Sequence, residues 1–165
     1  MRLPGWAVNF DSSALEGIAF TLSWTTLTFW PRCSSGVESV IRILVADDFE
    51  AWRALVRRLL QPQSDWQIVA EASDGLEAVR KTIELRPDLA ILDISMTLLN
   101  GLDACEKILE SLPEAKVIFL SVNNYEEVMS AALAMGAEEY VLKANARRDL
   151  LPAISRCFTR AGFRS

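Results

Sequence analysis

The 165-residue chain contains no histidine. That absence removes imidazole-based catalytic triads, histidine metal ligands and any phosphohistidine formed on the chain itself. Cysteine is scarce. Cys33, Cys105 and Cys157 are widely spaced and make no CxxC pair, which reads as reduced thiols in a cytoplasmic protein and not as a disulfide framework or zinc site. There is no basic excess: 17 Lys and Arg stand against 22 Asp and Glu, for a net charge of −5. Direct nucleic-acid binding by this chain is therefore not expected, because it needs a basic footprint. A glycine-rich dinucleotide fingerprint is missing. The segment closest to a phosphate loop, GLEAVRKT (75–82), has Arg80 in place of the second glycine, so the backbone cannot wrap a phosphate there.

What is present suits a globular protein. Hydrophobic residues make up 51% and charged residues 24%, enough for one domain with a substantial core and an appendage. The appendage is at the start. Residues 1–36 carry only Arg2, Asp11, Glu16 and Arg32, yet hold Trp6, Trp24 and Trp30 of the five tryptophans. The uncharged run 17–31 is short and Thr-rich for a spanning helix, and it lacks the basic start and small-residue cleavage site of a signal peptide. Residues 1–39 are expected to be a poorly ordered extension, or the product of a start codon placed too early. Within them, RCSSGVES (32–39) reads as a linker. Residues 161–165 read as a tail.

From Ile41 the pattern becomes regular. Apolar, strand-like runs occur at 41–47, 66–72, 89–94, 116–121 and 139–143. Helical spacing follows each: 49–61, with Phe49, Trp52, Val56, Leu59 and Leu60 on one face; 74–86, with Leu76, Val79 and Ile83; 102–112; 125–136; and 149–160. Pro87 and Pro113 stop two of these helices, and Gly136 stands where a left-handed cap is expected. Pro152 is compatible with the last helix only in its first turn. The strands are continuous apolar runs, not alternating ones, so both faces are buried. The prediction is an α/β fold with a doubly wound, five-stranded parallel sheet.

In such a sheet ligands bind outside the carboxyl ends of the strands. Strand one ends in Asp47-Asp48, strand three in Asp93, strand four in Ser121 and strand five in Lys143. Taken singly, each has a plainer reading as a helix cap, a turn residue or a solvated charge. Together they gather three carboxylates, a hydroxyl and an ammonium on one rim. Crowded carboxylates repel one another, and a hard divalent cation relieves this. The set suits a phosphoryl group arriving at a carboxylate.

These residues carry a resemblance. LVADD (44–48), GLEAV (75–79), LDISMTLLNGLDA (92–104), FLS (119–121) and EYVLK (139–143) resemble the receiver domain of two-component response regulators, over about residues 40–160. YVLKANARRDLLPAI is similar to the receivers of the LuxR/NarL-like branch. The resemblance implies a flavodoxin-like (βα)5 fold with strand order 2-1-3-4-5. It implies Asp93 as phosphoacceptor, and Mg²⁺ held by Asp48, Asp93 and the backbone carbonyl of Ser95, with Asp47 acting through water. It implies Lys143 on the phosphoryl oxygens, with Ser121 and Tyr140 as switch residues. The implied partners are a sensor histidine kinase or phosphotransfer protein, a downstream protein bound at the face of helix four, strand five and helix five, and, on phosphorylation, a second copy of the chain.

Three positions depart from the family pattern. Thr97 replaces a usual proline, Ala144 follows Lys143 where many receivers have a cis proline, and Val122 stands where Ala or Gly is usual. Ala144 predicts a trans peptide, and Val122 a restricted approach to Asp93. Such a protein is a phosphoacceptor that catalyses only its own phosphotransfer and dephosphorylation. A phosphatase of the haloacid-dehalogenase type would need an acid two residues after Asp93, where Ser95 stands. The alternatives left open are a phosphorylation-independent scaffold and a truncated LuxR-type regulator.

Overall fold

The structure is a computed structural model, and it describes residues 40–159. The expected extension, its three tryptophans and Cys33 lie outside the described residues, as does the tail.

Five strands alternate with five helices: β1 (Ile41–Ala46), α1 (Glu50–Leu60), β2 (Trp66–Ala72), α2 (Gly75–Leu85), β3 (Leu89–Leu92), α3 (Gly101–Ser111), β4 (Lys116–Ser121), α4 (Glu126–Ala134), β5 (Glu139–Leu142) and α5 (Ala146–Thr159). A single 3-10 turn, Lys143–Asn145, joins β5 to α5. All neighbouring strands pair in parallel, in the order β2-β1-β3-β4-β5. This is the doubly wound sheet that the strand pattern predicts, in the flavodoxin-like order that the receiver resemblance implies.

The strand composition explains the two layers. Along β1, Leu44 and Ala46 face one cluster, with Leu92 and Phe119 of β3 and β4 and with Ala104 and Ile108 of α3. Ile43 and Val45 face the other, with Ile91, Ile118 and Val141 of the sheet, Val56 and Leu60 of α1, and Leu150 and Ile154 of α5. Successive strand residues thus point to opposite faces and both are covered.

The helices depart from the expected faces in three places. Phe49 is the N-cap residue of α1 and is 60% exposed, so it does not belong to the buried stripe of Val56 and Leu60. In α2 the buried positions are Gly75, Ala78 and Thr82, while Leu76 and Ile83 are exposed and Val79 packs at the core's edge. Small residues let α2 lie close to its neighbours, and that closeness turns the larger side chains outward. The last helix starts at Ala146, three residues earlier than expected, so Pro152 lies in its second turn and not its first. Pro152 and Arg148, whose carbonyl loses its helical donor, are both exposed, which leaves the freed acceptor to water.

Local chemistry sets the other boundaries. Asp74 caps α2 by accepting the Glu77 N–H at 2.8 Å, and Asn100 caps α3 by accepting the Asp103 N–H at 2.9 Å. Arg86, just before Pro87, closes α2 in the left-handed region at φ 46°. Gly136 follows α4 with φ 103°, the conformation a left-handed cap requires. No cis peptide occurs among the described residues, so Lys143–Ala144 is trans as expected.

Candidate functional site

Strands β1, β3 and β5 place a charged residue directly after their last paired residue, and β4 ends on the paired Ser121. Asp47 follows β1 and Asp93 follows β3. The Asp93 N–H donates to the Ala46 carbonyl at 2.8 Å, and the Asp47 N–H donates to Ala72 at 3.1 Å, so the sheet's hydrogen bonding fixes both aspartates. Gly101 fixes the backbone behind Asp93. A Cβ there would lie 2.0 Å from the Asp93 carbonyl oxygen, so only glycine permits this approach of α3 to the loop.

Three carboxylates converge. Oxygens of Asp47, Asp48 and Asp93 lie within 4.8 Å of one another. Asp47 and Asp93 are only 3% and 4% exposed, while Asp48 is exposed. Lys143, 6% exposed, bridges the buried pair: its Nζ is 2.6 Å from Asp47 Oδ2 and 3.2 Å from Asp93 Oδ2. Burial raises the Asp47 carboxyl above its ordinary value, and the Lys143 hydrogen bond opposes this without overcoming it. Asp47 also accepts the Phe49 N–H at 2.9 Å, so it forms the turn into α1 as well as belonging to the cluster.

The charge does not close. Three carboxylates and one ammonium leave a deficit of two positive charges, in a mostly buried setting where charge is costly. A hard divalent ion matches that deficit and the all-oxygen donor set. The donors therefore fit Mg²⁺. Ser95 is exposed and follows Asp93 by two residues in the β3–α3 loop.

Ser121 and Tyr140 each bond to Asn123 in the β4–α4 loop. Ser121 is wholly buried, and its Oγ accepts the Asn123 N–H at 3.2 Å. The Tyr140 hydroxyl donates to the Asn123 carbonyl at 2.7 Å. Its ring packs against Phe119, centroids 6.3 Å apart, and burial raises its pKa. Both switch candidates thus hold the two sides of one residue in the β4–α4 loop. Val122 is 67% exposed and lines a cleft of about 390 Å³ with Trp52, Asn124 and Lys143. Thr97 is exposed, and the loop beyond it turns tightly: Leu99 N–H donates to Thr97 at 2.7 Å across Leu98, whose φ is 62°. A leucine in that turn is strained.

Two supporting residues were not singled out by the sequence for this role. Trp52 carries Lys143 Nζ 5.2 Å from its ring centroid, a cation–π contact. Arg53 donates to the Asp47 carbonyl at 2.7 Å and pairs with Glu50 and Glu71. Helical spacing marked Trp52 as a core residue, and nothing local in the sequence ties either side chain to the rim.

A parallel α/β sheet with an acidic, lysine-bridged carboxyl rim is the architecture of receiver domains. Residues 43–155 match the family model of the response regulator receiver domain, and the chain belongs to that family. It is 40% identical over 115 residues to the oxygen regulatory protein NreC of Staphylococcus epidermidis, covering 69% of this chain and 53% of that protein. It is 33% identical over 117 residues to the chemotaxis protein CheY of Listeria monocytogenes, covering 71% of this chain and 98% of CheY. The chain thus spans about half the length of NreC and nearly all of CheY. Among solved structures, the signal receiver domain of the response regulator NarL from Mycobacterium tuberculosis matches with a TM-score of 0.66 and 28% identity, over 71% of this chain and 94% of that one. The response regulator domain of Thermotoga maritima CheB matches with a TM-score of 0.65 and 33% identity, over 74% and 96%. The chain carries a receiver domain of two-component phosphorelay signalling. No described helix is long and apolar enough to cross a membrane.

Proposed function

We propose that Asp93 is the residue that takes the phosphoryl group, from a phosphohistidine on a sensor histidine kinase or phosphotransfer protein. The observation that carries this reading is the buried Asp47–Lys143–Asp93 arrangement beside the exposed Asp48. The donor histidine lies outside these 165 residues, which contain none.

The carboxylate of Asp93 attacks phosphorus and the donor imidazole leaves, giving an acyl phosphate. Positioning and charge neutralisation do the catalytic work. Lys143, already beside Asp93, meets the phosphoryl oxygens with its ammonium, and the Trp52 ring supports that cation from below. Asp48, Asp93 and the Ser95 carbonyl would hold Mg²⁺, with Asp47 acting on it through water. Mg²⁺, when bound, supplies the charge that lets an anionic phosphoryl group approach these carboxylates. Ser121 then exchanges its Asn123 contact for a phosphoryl oxygen. Tyr140, bonded to the same residue, changes with it and passes the event to α4, β5 and α5. A downstream protein or a second copy of the chain reads that face. Val122, at the mouth of the cleft, slows the approach of donors and water.

Incubation with acetyl phosphate and Mg²⁺, followed by intact mass, tests this. The wild type gains one phosphoryl group and Asp93→Asn gains none. Val122→Ala is phosphorylated faster than the wild type. No gain at any Mg²⁺ concentration would favour a phosphorylation-independent scaffold.

A further inference from the structure

The three carboxylates of the rim are held unequally. Asp47 and Asp93 are buried and share Lys143. Asp47 is pinned further by its N–H on the Ala72 carbonyl at 3.1 Å and by Oδ1, which accepts the Phe49 N–H at 2.9 Å. Asp48 is exposed, and its carboxylate has no hydrogen bond or ion pair among the described residues. An oxygen of Asp48 still lies within 4.8 Å of oxygens of the other two. Its place in the cluster therefore depends on the backbone that carries it.

Arg53 holds that backbone. Its Nη1 donates to the Asp47 carbonyl at 2.7 Å, and this carbonyl belongs to the peptide unit that joins Asp47 to Asp48. A peptide unit is planar and turns as one body, so pinning its oxygen limits the rotation that would swing Asp48 out of the cluster. The guanidinium is fixed on its other sides as well. Its Nε lies 3.5 Å from Glu71 Oε2 on β2, its Nη2 pairs with Glu50 in the first turn of α1, and its side chain is only 14% exposed. Glu71 is anchored in turn by Arg57, whose Nε and Nη2 each donate to it at 2.8 Å. One planar fork thus ties α1, β2 and the β1–α1 turn together, a task for which the point charge of a lysine is poorly shaped.

From these contacts we propose that Arg53 is a positioning residue for the metal site: it holds the Asp47–Asp48 peptide so that the Asp48 carboxylate stays in the cluster. The inference rests on the Mg²⁺ reading of the rim. Groups that orient metal ligands contribute about 10–100-fold to metal affinity. Charge alone predicts the opposite sign. A guanidinium beside three carboxylates repels a divalent cation, so its loss would strengthen binding if Coulomb forces decided the matter. The direction of the change separates the two.

The test is Mg²⁺ titration of the isotope-labelled full chain, followed by amide resonances, without phosphodonor. Arg53→Met keeps the apolar stem and loses every donor. Arg53→Gln, neutral and polar, is the second variant should the first not fold, and the dispersion of the spectrum reports folding. Arg57→Met is the control: it removes a guanidinium that pairs with the same Glu71 and Glu50. The Arg53 variants are expected to bind Mg²⁺ about tenfold more weakly than the wild type, and Arg57→Met as tightly as the wild type. In the metal-free protein the Asp48 amide resonance moves in the Arg53 variants and stays in place in Arg57→Met. The proposal is overturned if a folded Arg53 variant binds Mg²⁺ as tightly as the wild type or more tightly, if Arg57→Met loses as much, or if the Asp48 resonance does not move. Those results leave the Asp93 reading standing. A wild type that binds no Mg²⁺ overturns the metal reading and this inference together.

Discussion

Phe119 in the middle of β4 and Asp47 just past the end of β1 are both almost wholly buried, and burial acts on them in opposite directions. Phe119 gains by leaving water, as do the strand residues around it in the first core cluster. Asp47 loses: burial raises its carboxyl, and Lys143 only partly compensates. The body of the domain is therefore organised for stability, and its rim keeps costly charge in place for chemistry.

Substitutions separate the two regions, beginning with the largest effect. Phe119→Ala is expected to lose about 3–5 kcal/mol by denaturant unfolding, from lost burial and the cavity left behind. A loss near 1 kcal/mol would mean that the sheet centre is not packed as described. Asp47→Asn should do the reverse. A carboxyl raised by burial binds its proton where the unfolded chain has already lost it, so it costs stability as pH rises above the ordinary value of 3.8. Removing its charge is expected to add about 1 kcal/mol at neutral pH while abolishing efficient phosphorylation. A clear loss of stability would show that the Lys143 pair more than repays its burial.

Glu77 gives a smaller effect of the opposite sign to Asp47. Its carboxylate is held down to about 2 by Lys81 and by the Ser73 N–H at the start of α2. That contribution is complete above about pH 4.5 and is lost as pH falls toward 2. Glu77→Gln should cost about 0.5–1 kcal/mol at pH 7 and shrink the acid-induced loss over that range; equal acid limbs would exclude the role. The smallest effect is expected at Thr82, fully buried in α2 with a hydroxyl that has no hydrogen-bond partner. Thr82→Val should be neutral or slightly stabilising, by about 0.5 kcal/mol. A drop in the denaturation midpoint would reveal a partner for the hydroxyl.

The same contrast explains what the sequence made legible. Strands buried on both faces write themselves as apolar runs, so all five appear in order, and the rim residues follow from where each run stops. Faces of helices were less legible. The period along α2 is satisfied equally by Leu76, Val79 and Ile83 or by Gly75, Ala78 and Thr82. Which set turns inward is settled by how closely neighbouring helices approach, a tertiary fact. α5 starts early because the 3-10 turn at Lys143 runs directly into it, and no local stop signal separates them. Trp52 beneath Lys143 and Arg53 on the Asp47 carbonyl depend on contacts between distant segments or on rotamers, which spacing does not encode.

The most direct measurement locates the phosphoryl group itself. The full chain, phosphorylated with acetyl phosphate and Mg²⁺, is treated with borohydride, which reduces an acyl phosphate to homoserine, and then mapped by peptide mass spectrometry. The account predicts conversion at residue 93 alone, dependent on Mg²⁺ and lost in Asp48→Asn. Conversion at Asp47 or Asp48, or none under any condition, would contradict it.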